Sequence, residues 1–177
     1  LHVRMRETCR VVELMVNAPG VLLLDANSDN TGDTHDKLAF SGARTLTSAG
    51  QMTLDATSGG IVRSGTATLT LKSDAGILVN DDFTGTATGQ QLHINADSNA
   101  SGSGTFTVKS GKDIISNNGV FSITAADIQI TGGIDVGTAT LNIHTTAERT
   151  IGLGTTSENM SIEGTELSRV TAAGVTI

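Results

Sequence analysis

The chain of 177 residues has no tryptophan and no tyrosine, and phenylalanine occurs only four times. It contains one proline, Pro19, and one cysteine, Cys9, so an internal disulfide is excluded. With so few aromatic side chains, the chain lacks the stacking surfaces on which proteins hold single-stranded nucleic acids. No run of apolar residues approaches the roughly 20 that a membrane-spanning helix needs. We therefore expect neither nucleic-acid binding nor membrane insertion.

Basic residues are also scarce. Lysine and arginine total 11 against 18 aspartates and glutamates, which gives a net charge of −7. Residues 1–19 carry three arginines against two glutamates, so the remainder of the chain carries −8. Such an acidic surface repels phosphate backbones. The chain begins at Leu1 and stops within a strand-like run at Ile177, and we expect it to be a segment of a longer protein.

What the chain does contain is a five-residue phrase that occurs nine times: a large apolar residue, any residue, an aliphatic residue or Phe, any residue, and a small residue. The nine copies begin at Leu22, Leu38, Met52, Leu69, Leu92, Phe106, Phe121, Leu141 and Met160. Apolar residues at every second position indicate a strand with one buried face. A unit this short cannot bury that face alone, so the units must stack on one another.

The repeat predicts an all-β fold, namely a right-handed parallel β-helix (β-solenoid) of about eight or nine coils. Many phrases are followed by a second apolar segment, as at Ile77–Val79, which predicts another side of the coil reached through a Gly, Asp or Asn corner. The unequal spacing of the phrases favours the right-handed form, because left-handed hexapeptide solenoids hold a stricter period. Polar stretches at 27–36 and 97–104 predict exposed loops or irregular coils.

Residues 1–19 lack the phrase, and we predict that they form an N-terminal cap or non-repeat segment ahead of solenoid repeats over 20–177. An apolar helical face is one of two equal indications, and it would give a short amphipathic helix that covers the open end of the stack. A strand through residues 10–16 is the alternative. The apolar helical face consists of Cys9, Val12, Met15 and Val16.

The acidic residues are candidates for catalysis, because parallel β-helices also serve as polysaccharide lyases and hydrolases. Paired carboxylates or a Ca²⁺ site are the arrangements to consider. Asp113 and Asp127 directly precede Ile at predicted corners, where Asp is favoured for backbone reasons. A structural role is therefore the favoured interpretation, and no catalytic, cofactor-binding or metal-binding residue is predicted. The candidates considered are Asp81, Asp82, Asp97, Asp113, Asp127 and Asp135.

Histidines, threonines and glycines carry weaker signals. The histidines His2, His35, His93 and His144 lack zinc-ligand spacing and are predicted to be solvated. Gly132-Gly133-Ile134-Asp135 approaches a Ca²⁺-binding nonapeptide repeat only once. Thr-x-Thr pairs would predict ice binding if they shared one flat face, although β-propensity explains them as well. They start at residues 45, 66, 68, 84, 86, 105 and 138.

A more specific pattern lies near the C-terminus. The run Arg149–Gly154 (RTIGLG) is followed by Met160-x-Ile162-x-Gly164, then Glu166-Leu167 and Val170. This pattern resembles the repeated module of large bacterial surface exoproteins of the filamentous haemagglutinin type, with its I-x-L-G … L-x-x-x-E-L-x-x-I/V phrase. The resemblance covers residues 149–177 in detail and 20–177 in style, while residues 1–19 do not match. It implies a long secreted β-helix shaft for adhesion or spacing, without catalytic residues.

We therefore predict a structural or adhesive β-helical segment of a large secreted or cell-surface protein, without enzymatic activity or a cofactor. It would form a rigid shaft and stack end to end with neighbouring segments or copies, since its ends expose strand edges. Host or cell-surface ligands are further candidate partners. A carbohydrate-active β-helix enzyme fragment and an ice-binding solenoid are the alternatives. Three or more carboxylates converging across adjacent coils would favour the enzyme, and a flat face of threonines would favour ice binding.

Overall fold

The computed structural model describes residues 1–4, 9–11, 16–26 and 36–177, and it describes the side chains of residues 1, 17–26 and 36–177. Within these ranges the chain forms 22 short strands and one helical turn. All paired strands run parallel, and the regular element is a coil of three strands. The prediction of an all-β solenoid is confirmed.

Six coils are complete among the described residues, and each contributes three strands in chain order. They are coil 1 with β1 (His2–Arg4), β2 (Cys9–Val11) and β3 (Val16–Ala18); coil 2 with β4 (Leu22–Asp25), β5 (Leu38–Ser41) and β6 (Arg44–Ser48); coil 3 with β7 (Met52–Asp55), β8 (Ile61–Ser64) and β9 (Leu69–Ser73); coil 4 with β10 (Ile77–Val79), β11 (Phe83–Gly85) and β12 (Leu92–Asn95); coil 5 with β13 (Thr105–Val108), β14 (Asp113–Ile115) and β15 (Phe121–Ala125); and coil 6 with β16 (Asp127–Ile130), β17 (Gly133–Asp135) and β18 (Thr140–Thr145).

The chain after coil 6 is less regular. It contains β19 (Ile151–Leu153), β20 (Met160–Ile162), the helical turn α1 (Gly164–Leu167), β21 (Val170–Thr171) and β22 (Gly174–Thr176). The strands β19 and β20 pair only with each other, whereas β21 and β22 pair with coil 6. The described residues therefore form six coils and part of a seventh.

The three strands of each coil belong to three different sheets, which form the three sides of the solenoid. Sheet A takes the first strand of every coil, in the order β1-β4-β7-β10-β13-β16. Sheet B takes the second strands and ends with β21, while sheet C takes the third strands and ends with β22. No described helix is long and apolar enough to cross a membrane. The right-handed winding stays a prediction.

The predicted number of coils, eight or nine, is wrong, because some coils contain two copies of the phrase. Leu22 and Leu38 begin strands on two sides of coil 2, and Phe106 and Phe121 lie on two sides of coil 5. Alternating apolar residues reveal that a strand has a buried face, but they do not reveal on which side of the coil the strand lies.

The predicted N-terminal helix is also wrong for the described residues. Cys9 pairs in parallel with Leu38, and Val16 pairs with Leu46, so both belong to strands of coil 1. Backbone pairing with coil 2 satisfies groups that an isolated helical turn would leave to water. Val12 and Met15, the other members of the proposed helical face, lie outside the described residues.

The core is built from columns of apolar side chains that stack in register from coil to coil. Nearly all members are fully buried, and burial of one such side chain contributes about 1.5–3 kcal/mol. Two pairs of rings add contacts: Phe40 and Phe83 lie 6.3 Å apart between centroids, and Phe106 and Phe121 lie 6.0 Å apart in an edge-to-face arrangement. The three main columns are Leu22-Met52-Ile77-Phe106-Ile128, Leu38-Ile61-Phe83-Ile114-Ile134-Val170 and Leu69-Leu92-Phe121-Leu141-Val175.

Candidate functional site

Charged side chains concentrate at the corner between sheets A and B, where the sheet A strands end. Asp25 and Asp55 are in register at the ends of β4 and β7. Asp81 follows β10 in the next coil, and Lys112 comes from the corresponding corner of coil 5. We call these four residues the acidic corner. It contains Asp81, one of the predicted candidates, together with Asp25 and Asp55, which sequence reasoning missed.

The buried carboxylate of Asp81 organises this corner. Its Oδ2 accepts hydrogen bonds from the backbone N–H groups of Ala56 at 3.0 Å and Thr57 at 2.8 Å. Its Oδ1 lies 2.6 Å from Nζ of Lys112. Thr57 has a φ of 44°, in the left-handed region that non-glycine residues seldom occupy. Asp81 therefore holds an unusual turn of coil 3 and ties it to coils 4 and 5.

The two carboxyl groups of Asp55 and Asp81 have pKa values shifted in opposite directions. Burial raises the pKa of Asp55, and a hydrogen bond to Asp81 and the charges of Asp81 and Asp25 raise it further. A hydrogen bond from Asn80 lowers the pKa but does not outweigh these causes. Burial alone would raise the pKa of Asp81, but hydrogen bonds from Lys112, Ala56, Asp55 and Thr57 outweigh it and lower that pKa. The hydrogen bond to Asp81 raises the pKa of Lys112. Asp55 thus keeps its proton to higher pH than Asp81 does.

Carboxylates do therefore lie on adjacent coils, the arrangement named above as favouring a carbohydrate-active enzyme. Asp55 Oδ2, however, accepts a hydrogen bond from Asn80 Nδ2 at 2.7 Å. The oxygens of Asp81 are already committed to two backbone donors and a lysine. Within the described part of the chain, no three His, Cys, Asp or Glu side chains are placed to hold a metal ion. The geometry suits a joint between coils.

Asp97, another predicted candidate, forms a second joint. Its Oδ1 accepts hydrogen bonds from the backbone N–H of Ser101 at 3.1 Å and from its hydroxyl at 3.0 Å. Its Oδ2 accepts hydrogen bonds from the N–H of Gly102 at 2.8 Å and from the Thr146 hydroxyl at 2.6 Å. The carboxylate thus shapes the loop at 97–104 and attaches it to the end of coil 6.

The remaining predicted carboxylates are dispersed along the solenoid. Asp82 accepts a hydrogen bond from the N–H of Asp113 at 2.9 Å, and Asp127 accepts one from Ser161 at 3.3 Å. Asp135 accepts a hydrogen bond from Gly137 at 2.8 Å and so shapes its own turn. Backbone donors thus account for the accepted hydrogen bonds of these three residues.

The outer face of sheet C tests the arrangement of the threonines. Thr45 and Thr70 are in register, but His93, Ser122 and Asn142 continue the same outward column. The pair Thr105 and Thr107 lies on sheet A, and Thr84 lies on sheet B. Among the described residues the threonines therefore do not share one face. His93 and His144 are exposed, as predicted, and the side chains of His2 and His35 lie outside the description.

Arg63 and Gln90 are buried polar residues that sequence reasoning missed. Arg63 is only 3% exposed and lies in register between Phe40 and Gly85. Its Nη2 donates to the carbonyl of Ala67, and Gln90 Nε2 donates to that of Gly65. Burial lowers the pKa of Arg63 to about 10. The sequence does contain a signal for the burial of Arg63: it lies two residues after Ile61, where the period of two predicts an inward apolar residue.

No protein-family model, curated protein or solved structure matches the chain. The resemblance of residues 149–177 to haemagglutinin-type exoproteins therefore stays a prediction.

Proposed function

We propose that this chain is a structural or adhesive β-helical segment of a large secreted or cell-surface protein, and that it acts as a rigid shaft without a catalytic centre. The observation that carries the proposal is the continuity of the apolar columns, which keep their register from coil 2 to coil 6 on sheets A and B and from coil 3 to coil 6 on sheet C. With a strand spacing of about 4.8 Å, the seven coils give a rod roughly 30 Å long.

The polar chemistry supports the same function. Asp81 joins coils 3, 4 and 5, and Asp97 joins the end of coil 4 to the end of coil 6. Side chains that would otherwise be candidates for catalysis therefore resist separation of the coils. A shaft needs such bonds along its axis, whereas an active site needs carboxylates that are free to meet a substrate.

Removal of one coil tests this function, because a shaft should shorten without losing its fold. Deletion of residues 105–126 removes coil 5 and lets Ile128 stack on Ile77, since both pair in register with Phe106. Spin labels at the exposed Ser64 and Thr171, in a Cys9→Ser background, report the length by double electron–electron resonance. We expect a folded protein whose label distance is shorter by about 4.8 Å.

The matched control deletes half a coil, residues 105–115, which places a sheet C strand where sheet A requires one. This variant should unfold, as judged by circular dichroism. If the full-coil deletion unfolds to the same extent, the coils are not interchangeable units and the shaft proposal fails.

A second experiment addresses catalysis directly. The wild-type chain and the Asp81→Asn variant are incubated with a panel of acidic and neutral polysaccharides, and newly formed reducing ends are measured. We expect no release by either protein. Release by the wild type that disappears in Asp81→Asn would overturn the proposal in favour of a carbohydrate-active enzyme.

A further inference from the structure

We infer that the core of the solenoid contains a binding site for one water molecule, between the side chains of Arg63 and Gln90. The site lies where the strands of sheet B turn toward sheet C. Arg63 belongs to coil 3, Gln90 to coil 4 and Ser116 to coil 5. Described coils lie on both sides of these three, so the site does not depend on how the chain continues beyond either end.

The side chains at this site are buried and surround a small cavity. Arg63 is 3% exposed, Gln90 is fully buried and Ser116 is 4% exposed. The cavity measures about 10 Å³. A cavity needs about 10–15 Å³ to hold a water molecule, so this one admits a single water and no larger ligand. Its other lining residues are Phe83, Gly85, Leu92, Ile114 and Ile115.

Two polar atoms of the lining side chains are unpaired. Arg63 Nε and Gln90 Oε1 are buried, and neither has a hydrogen-bond partner among the described residues. Arg63 Nη2 donates to the carbonyl of Ala67, and Gln90 Nε2 donates to that of Gly65, so both side chains are anchored at other atoms. A buried polar group without a partner costs about 1–3 kcal/mol, which a ligand in the cavity would recover.

The geometry of Gly85 brings the two side chains together. Arg63 and Gly85 are in register on β8 and β11. A Cβ atom at Gly85 would lie 2.6 Å from Gln90 Oε1, so that oxygen lies directly against Gly85. A reversed amide would turn Oε1 toward the carbonyl of Gly65 and oppose two acceptors. The site therefore combines a donor from Arg63 with an acceptor from Gln90.

This combination selects water over an ion. Water can accept a hydrogen bond from Arg63 Nε and donate one to Gln90 Oε1. Chloride cannot donate a hydrogen bond and would leave the amide oxygen unpaired, while the guanidinium repels a metal cation. The Ser116 hydroxyl donates to the Gly119 carbonyl at 2.6 Å and retains lone pairs that can accept the second proton of the water. Three polar partners are typical of a buried water, and these three would join coils 3, 4 and 5.

The test combines a high-resolution crystal structure of the full chain with oxygen-17 magnetic relaxation dispersion, which counts long-lived buried waters in solution. Gln90→Met removes the acceptor and keeps a side chain of similar length. Gln91→Met is the matched control, because Gln91 is the next residue and is exposed. Circular dichroism verifies that both variants fold. Crystals grown in sodium bromide reveal a bound halide by its anomalous scattering.

We expect a single density peak within hydrogen-bond distance of Arg63 Nε and Gln90 Oε1 in the wild type, without a bromide signal. Gln90→Met should have one long-lived water fewer than the wild type and Gln91→Met. The inference is overturned by a bromide peak in the cavity, by direct contact between the two side chains without intervening density, or by an unchanged water count in folded Gln90→Met. If Gln90→Met does not fold, the wild-type density and the bromide crystals still decide between water, a halide and an unoccupied cavity.

Discussion

At the scale of single residues, the buried carboxylates link distant parts of the chain. Asp97 accepts four hydrogen bonds from Ser101, Gly102 and Thr146, three of them inside its own loop. Burial alone would raise the pKa of Asp97, but these bonds outweigh burial and hold the pKa below its ordinary value. The ionised form is therefore favoured by the folded state, and its stabilisation depends on pH.

The sign of that dependence gives a prediction. The stabilisation by Asp97 is present in full above its ordinary pKa of about 3.9 and is lost as the pH falls through the lower folded value. Asp97→Asn should therefore be less stable than the wild type at pH 7, and the difference should shrink below about pH 4. Urea unfolding across this pH range measures it.

Asp55→Asn provides the contrasting variant. Because burial and its neighbours raise the pKa of Asp55, the stabilisation by its protonated form is full at low pH and is lost as pH rises through the folded value. The difference between Asp55→Asn and the wild type should thus change with pH in the opposite direction. Equal pH dependence of the two variants would contradict both assignments.

Arg63 gives a second prediction at this scale. Its buried guanidinium donates to the carbonyl of Ala67, and burial is the cause of its lowered pKa. Replacing a buried ion pair by apolar residues of similar volume is often neutral or stabilising by about 1–4 kcal/mol, because the cost of desolvating the charges is removed. Arg63→Met should therefore leave the free energy of unfolding unchanged or raise it, as measured by urea denaturation.

The control for Arg63 is Lys72→Met, which removes the same charge from an exposed position on sheet C. It should change stability by no more than about 0.5 kcal/mol. A large loss of stability in Arg63→Met alone would mean that the guanidinium has a structural partner of greater importance than the Ala67 carbonyl.

At the scale of elements, the corners depend on close approach of one coil to the next. Gly119 lies between β14 and β15, and a Cβ atom there would lie 1.7 Å from the carbonyl oxygen of Gln90 in coil 4. The Ser116 hydroxyl donates to the Gly119 carbonyl at 2.6 Å, which holds the corner closed. Only glycine allows this contact without movement of the backbone.

Gly119→Ala should accordingly separate coils 4 and 5 at this corner and cost about 1–3 kcal/mol of the free energy of unfolding, as other overpacking substitutions do. Gly20→Ala is the matched control, since a Cβ at Gly20 meets no atom within 4 Å. Thermal unfolding followed by circular dichroism compares the two. Equal melting temperatures would show that the backbone at Gly119 can shift at little cost in free energy.

At the scale of the whole molecule, stability arises from contacts between neighbouring coils, because each coil is bonded mainly to the one before and the one after. The cost of removing an inward side chain should therefore depend on its place along the rod. Ile123 lies in coil 5 with partners on both sides, Ile94 and Ile143, whereas Val175 has a partner on one side only, Leu141.

Ile123→Ala should destabilise the chain by about 2–5 kcal/mol, the usual cost of a large cavity in a core. Val175→Ala should cost less than about 1 kcal/mol because the residue is half exposed. Urea unfolding at a concentration where the chain is monomeric measures both. Similar costs would argue against nearest-neighbour stabilisation.

Much of the architecture follows from the alternation of residues alone. Leu69, Leu71 and Ser73 are buried, and the residues between them face outward, as the period of two predicts. The exposed positions of His93 and His144 follow from the same rule. The candidate site was harder to predict: Asp81 was named as a candidate carboxylate, but its partners Ala56 and Lys112 are distant in sequence.

By itself, the sequence determined that the chain is an all-β solenoid and which apolar side chains of the repeated phrase face its core, since a period of two is a local property of a strand. The tertiary structure decided how many strands make one coil, that residues 2–4, 9–11 and 16–18 join the stack, and that the carboxylates bind backbone groups of neighbouring coils. These features depend on the lengths and directions of the corners, which local patterning does not specify. They also depend on contacts between residues 20 or more positions apart.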